Sequence, residues 1–223
     1  MVMMKLKLTE HKKSAENIWI DLKKGYDYLK ASPDLASMVL MMAASSFLVI
    51  PFTTLLPVFA KDIFNGNATT FGWFESAAGF GAFFGAIYMA TLRAGQNLQK
   101  IVMMSGILLA ISVVALAISP SLILALICTG LAALGLMAQT SSINTYLQTH
   151  ADDLMRGRTL SYYIMAYQGV LPIGSLLMGY LAHLFGTQVV VAFEGIAGLL
   201  IVAAFSYNEK HRNQINFSPY KAR

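Results

Sequence analysis

The sequence predicts an all-α membrane protein of six transmembrane helices preceded by a cytoplasmic amphipathic helix. Three observations carry this reading. Of the 223 residues, 57% are hydrophobic and only 12% are charged, where a soluble domain carries roughly a quarter charged residues. Several uncharged runs reach the roughly 20 residues that cross a bilayer, and lipid, having no water for exposed backbone groups, forces such runs into helices. Finally, on a six-span reading every Lys and Arg except Lys61 falls on one side, the asymmetry that marks the cytoplasmic face.

The elements follow in chain order. Residues 1–34 form a cytoplasmic N-terminal segment. Its opening, "MVMMKLKLTEHKK", is not expected to act as a signal peptide, because the apolar stretch is short and the lysines follow it. In "AENIWIDLKKGYDYLK" (15–30), Ile18, Leu22, Tyr26 and Leu29 share one helical face, with Trp19 beside them. Lys23, Lys24, Asp27 and Lys30 lie mainly elsewhere. That pattern suits a helix lying along an anionic leaflet; the alternative is a linker that is helical only in part. Ser14 is a candidate cap, and Ser32-Pro33 ends the helix.

The six-span bundle covers 35–207. The first span is 35–60, and the second, 71–92, is interrupted only by Glu75. The stretch 101–151 has no Asp, Glu, Lys or Arg and is long enough for two spans. Pro120 in "AISPS" divides it into 101–119 and 121–149, because proline lacks an N–H and disfavours helix in the residue before it. The fifth span is 159–184, "FGTQ" makes a turn, and the sixth is 189–207. Residues 208–223 form a cytoplasmic tail.

Between spans four and five, Asp152, Asp153, Arg156 and Arg158 crowd into seven residues. Such charges cannot enter lipid cheaply and pin the loop inside. Topology with local ion pairing is one reading, and a conformational gate is the other. Within the spans, Ala77, Gly81 and Gly85 form a small-residue ridge suited to close helix packing. Pro172, with Gly174 and Gly179, offers a packing face or a hinge in span five, although static bundles use the same residues.

Two acids lie inside spans. Glu75 and Glu194 each sit roughly 5–10 Å below the outer end of a span. Each is a candidate proton-coupling site, or alternatively reaches outer headgroup or vestibule water. His183 lies near the outer end of span five and reads as interfacial. Gln139, Asn144, Tyr167 and Gln168 belong to the most polar uncharged region of the bundle. They are candidates for lining a substrate cavity, or else tie helices together or join an aromatic belt.

Other classes fit poorly. The basic residues flank apolar runs, so topology accounts for them better than nucleic acid does. Cys128, the one cysteine, allows no internal disulfide, and neither a metal cluster nor a cofactor is expected. No Walker A motif supports ATP-driven transport. Ser175 and His183 are eight residues apart on one helix, roughly 12 Å along its axis, so a hydrolytic dyad is not expected.

"SSINTYLQTHADDLMRGRTLSYYIMAYQGVLPIGSLLMGYLAHLFG" (141–186) resembles the loop and flanking helices near the end of major facilitator superfamily exporters. The branch is the one that holds the enterobactin exporter and related efflux permeases. The matching elements are Gln148, Asp152, Asp153, "RGR" (156–158) and "PIGSLLMG" (172–179). "WIDLKKGYDYLKASPDL" resembles the linker before that branch's seventh helix. "LLPVFAKDIF" with "GWFESAAGFGAFFGA" resembles its seventh and eighth helices. "ATLRAGQNLQK" keeps Arg93, Gly95 and Lys100 of the signature between the second and third helices of a half, and lacks its acidic residue.

The resemblance covers nearly all of 15–208 and only the second half of such a transporter. It implies two inverted three-helix repeats, one half of the fold, with the substrate site between halves. It implies a bacterial plasma membrane protein with both termini cytoplasmic. The lipid bilayer, a small-molecule substrate, protons, and a first six-helix half or a second copy are the partners implied. Spans one, two, four and five would face the cavity, favouring Glu75, Gln139, Asn144 and Gln168 over Glu194. The charged loop would be a cytoplasmic gate. A fragment, a truncated reading frame or half of a split transporter is the expected status of the chain.

Overall fold

The computed structural model describes residues 18–92 and 95–217, with side chains for 19–92 and 95–209. Ser14, Lys5, Lys7, Lys12, Lys13, Arg93, Lys221 and Arg223 lie outside the described residues, as do the side chains of Ile18, Lys210 and Arg212. The described residues form helices and short connections, without a strand: α1 (Ile18–Ala31), α2 (Pro33–Leu48), α3 (Phe52–Val58), α4 (Ala68–Thr91), α5 (Leu98–Ala117), α6 (Leu122–His150), α7 (Arg156–Ile164), α8 (Leu171–Phe185) and α9 (Thr187–Phe217). π-helical turns follow α3 at Phe59–Ile63 and α7 at Met165–Gly169.

Among the described residues, five helical runs are long and apolar enough to cross a membrane: Pro33–Ile63, Leu98–Ala117, Leu122–His150, Arg156–Phe185 and Thr187–Glu209. α4 has 24 residues, about 36 Å of helix. Glu75 and the glycines at 72, 79, 81 and 85 leave it less apolar than those five.

The run expected as one helix over 35–60 is broken. The N–H groups of Val49 and Ile50 both donate to the Ser45 carbonyl at 2.9 Å. Pro51, which has no N–H, then caps α3, so the backbone restarts there. A second proline, Pro57, lies inside α3, and the chain widens into the π turn two residues later. Span five is likewise interrupted, by the π turn ahead of Pro172. α9 runs past the expected end at 207 to Phe217. Polar caps set the starts of three helices: Asn67 and Thr70 cap each other's backbone at α4, Asn97 accepts from Lys100 N–H at α5, and Ser121 accepts from Leu124 N–H at α6.

Glycine sets how closely the helices approach. A Cβ on Gly81 of α4 would run into the Gly130 carbonyl of α6, and one on Gly195 of α9 would stand 2.7 Å from the Val114 nitrogen of α5. α4, α6, α5 and α9 therefore pack in a row, main chain near main chain, which is how helices gain contact energy in lipid. α2 and α3 cross this row beside α8 and α9, and Gly174 of α8 abuts the backbone of Phe47. Two apolar clusters fill the bundle. One holds Phe52, Phe74, Val113, Met178 and Val190. The other, at the end that carries α1, holds Leu29, Met38, Val102, Ile143 and Leu147.

Candidate functional site

The break at Pro51 and the π turn of span five bring polar groups to one wall. A cavity of about 350 Å³ opens between α3, α4, α6 and the π turn. Thr53, Glu75, Gly79, Thr129, Thr140 and Tyr167 are among its lining residues. The threonine hydroxyls are bonded back to their own helices: Thr53 to the Ile50 carbonyl at 2.9 Å, Thr129 to Ala125 at 2.9 Å, and Thr140 to Leu136 at 2.9 Å. Each spends its proton on its own chain, which leaves the hydroxyl only lone pairs to offer a further partner. Glu75 is exposed at this wall and has no ion-pair partner among the described residues.

The π turn places Tyr167 here. Its carbonyl accepts a hydrogen bond from the Ser46 hydroxyl of α2, and its ring stands 6.3 Å from that of Tyr163. Tyr163 in turn donates to the Thr140 carbonyl at 3.2 Å. Spans one, four and five are thus tied beside the cavity by hydrogen bonds that cross between helices.

The other cavity candidates lie elsewhere. Gln139 is buried, with its Oε1 unpartnered among the described residues. It is directed at α5, where its Nε2 would lie 3.2 Å from a Cβ on Gly106. One residue of helix turns a side chain by about 100°, so Thr140 takes the cavity position and Gln139 is carried off it. Asn144 is half-buried and accepts from Gln148 Nε2 at 2.5 Å, one turn further along α6. Gln168 is exposed and does not line this cavity.

Glu194 differs most from the expectation of a shallow, wetted acid on a peripheral helix. Its exposure is 0%, and neither carboxyl oxygen has a hydrogen-bond partner among the described residues. Its helix face also carries the buried Val190, Val191 and Ala197. The neighbouring Gly195 and Gly198 draw α9 onto Ala110 and Val114 of α5 and onto Val49, which closes the site to water. The glycines also differ among themselves. Gly81, Gly85 and Gly174 each meet another helix, whereas a Cβ on Gly179 would meet nothing within 4 Å. Gly179 instead borders a second groove of about 1020 Å³ between α3 and α8, which also includes Asp62, Pro172, Ser175 and His183.

The charged loop joins α6 to α7. Arg156 pairs with Asp153 at 2.6 Å on the surface. Arg158 reaches Asp21 of α1 at 2.6 Å. The Asp152 N–H donates to the Tyr28 hydroxyl at 3.0 Å, and the Tyr162 hydroxyl donates to the Leu22 carbonyl at 2.8 Å. Gly25 permits the approach, since a Cβ there would stand 2.8 Å from the Tyr162 ring. Asp21, Tyr28, Thr53 and Thr140 were not among the sequence candidates. For Thr53 a signal existed, a threonine pair just after Pro51. For Asp21 there was none, since its partner lies 137 residues away.

Comparison with known proteins agrees with this architecture. A family model described as transmembrane secretion effector matches residues 1–217. The chain is 26% identical over 196 residues to a staphyloferrin A transporter of Staphylococcus aureus (strain NCTC 8325 / PS 47), covering 85% of this chain and 47% of that protein. The chain therefore spans about half the length of this curated relative. No solved structure matches the chain. With its membrane-crossing helices, Pro-broken spans and a family match along almost its whole length, the chain belongs to the transmembrane secretion effector family of major facilitator proteins.

Proposed function

We propose that the chain forms the second six-span half of a secondary transporter that exports a small amphipathic molecule, siderophore or drug-like, in exchange for protons. α4 serves as the second of the six spans, added to the five most apolar runs, and both termini face the cytoplasm of a bacterial plasma membrane. That arrangement leaves Lys61 as the one basic residue outside. The observation that carries the reading is the Glu75 cavity. A carboxylate free of an ion-pair partner, among the described residues, opens beside Tyr167 and three threonines at the wall of a membrane-embedded bundle. Such an acid is suited to exchange a proton for a cationic or polar group of a cargo. The opposite wall comes from a first six-helix half or a second copy, and rocking of the two changes which side the cavity faces. A relative named as a staphyloferrin A transporter supports a small-molecule cargo.

The test is reconstitution in proteoliposomes, alone and with a first half. Stoichiometry is read by crosslinking, and efflux is driven by a proton gradient. Glu75→Gln is expected to abolish proton-driven efflux while leaving cargo binding measurable. Unchanged coupling in that variant removes Glu75, and uncoupling by Glu194→Gln alone moves the proton site to α9. Efflux by the chain alone as a dimer identifies a second copy as the partner.

A further inference from the structure

α1 has two committed faces, and the bundle uses only one. Asp21, Leu22, Gly25, Tyr28 and Leu29 turn inward onto the charged loop, α7 and the apolar cluster behind them. On the opposite side Trp19, Lys23, Tyr26 and Lys30 recur at every third or fourth residue, the spacing of one helical stripe, with Ile20 and Asp27 along its edge. All six are exposed, Trp19 at 76% and Tyr26 at 56%.

We propose that this stripe rests on the headgroups of an anionic phospholipid leaflet. Three observations select that partner. The first is place: α1 ends at Ala31 and the first membrane-crossing run begins at Pro33, so the chain passes from α1 directly into the bilayer. The second is chemistry. Trp and Tyr prefer the headgroup level, where an amphipathic ring meets both phases. Lysine ammonium groups beside them are drawn to lipid phosphates, and two lysines outweigh the single Asp27 on this side. The third is constraint. The ion pair to Arg158 and the hydrogen bonds at Leu22 and Tyr28 fix the roll of the helix, so Trp19 cannot turn into the protein. The periodicity of the sequence assigned Leu22 and Leu29 to the membrane. The bundle takes both, and the leaflet meets a different, more basic set of residues. The helix is then held between the leaflet and the loop that carries Arg158. This inference depends on neither the cargo nor the coupling ion.

The test uses the full chain with Trp73→Phe, which leaves Trp19 as its sole tryptophan, in phosphatidylcholine vesicles with and without phosphatidylglycerol. Phosphatidylglycerol is expected to increase quenching of Trp19 by brominated lipid and to decrease quenching by acrylamide. Lys23→Gln with Lys30→Gln is expected to undo both effects, since each lysine near an anionic surface favours the bound state roughly fivefold. The double Arg variant should restore them. Both lysines are exposed, and circular dichroism reports whether the variants keep their helices. Identical Trp19 quenching in the two lipids overturns the proposal, as does a lipid effect that survives loss of both lysines. Protection that follows the protein-to-lipid ratio instead of the phosphatidylglycerol content assigns the stripe to a second copy and overturns it equally.

Discussion

Replacing Gly81 with alanine places a methyl group where two main chains meet. The new Cβ would stand 2.7 Å from the Gly130 carbonyl carbon and 3.0 Å from its Cα, and nearer still to the oxygen, where ordinary contact begins at 3.4 Å. The obstacle is backbone, so no side chain can swing aside. α4 and α6 must part along the ridge that includes Ala77 and Gly85. Overpacking of this kind costs about 1–3 kcal/mol. Alanine recovers about 0.5–1 kcal/mol of helix propensity, so the net loss centres on about 1 kcal/mol. Gly72→Ala on the same helix is the control. A Cβ there meets nothing within 4 Å, which leaves only the propensity gain of about 0.5–1 kcal/mol. Reversible unfolding of the isolated chain in mixed micelles, followed by circular dichroism, should separate the two variants by about 1–3 kcal/mol, the overpacking cost alone, with opposite signs. Equal shifts, or a Gly81→Ala chain as stable as the parent, would refute the claim that backbone approach seats α4 on α6.

Three further outcomes can be measured. A double-mutant cycle of Asp21→Asn with Arg158→Gln should give a coupling energy of about 0.5–1 kcal/mol that shrinks with added salt, because the side chains are 40% and 31% exposed, respectively, and partly screened; a coupling of zero removes the ion pair from the α1 attachment. Glu194→Leu should stabilise the isolated chain by about 1–3 kcal/mol, since it removes two buried oxygens that have no partner among the described residues; destabilisation would reveal a polar partner for that carboxyl. Ser46→Ala should cost about 1 kcal/mol through loss of the bond to the Tyr167 carbonyl, and hydrogen exchange should rise first around 165–169; uniform exchange would mean that the bond does not hold the π turn.

How much was legible in the sequence depends on which physical signal each feature leaves. Apolar length announces a span because lipid demands it, and α1 was visible from its periodicity. The packed face of α1 was misassigned, because Gly25 adds nothing to a hydrophobic pattern while admitting the Tyr162 ring. Pro51 was a readable break inside a run that looked continuous. The two acids, read at equal depth, part company: Glu75 lies open at a cavity, and Glu194 is sealed in the core. In a helix apolar on all sides, residue spacing does not say which side meets lipid and which meets another helix. The same ambiguity separated Gln139 from Thr140. The link between Arg158 and Asp21 spans 137 residues and is written in no local pattern.

The π turn at Met165–Gly169 has a consequence for the chain's numbering along span five. A π turn holds one residue more than the α turn it replaces. Closing the turn into one continuous α-helix with every residue kept would rotate everything after it by about 100° relative to α7. Gly174 would leave the Phe47 backbone it now abuts, and Pro172 would leave the groove it now borders. Sequence alignments across this segment therefore need a one-residue gap wherever a related chain runs straight. In this protein, the count of residues between Arg158 and Pro172 is as much a part of the fold as their identities.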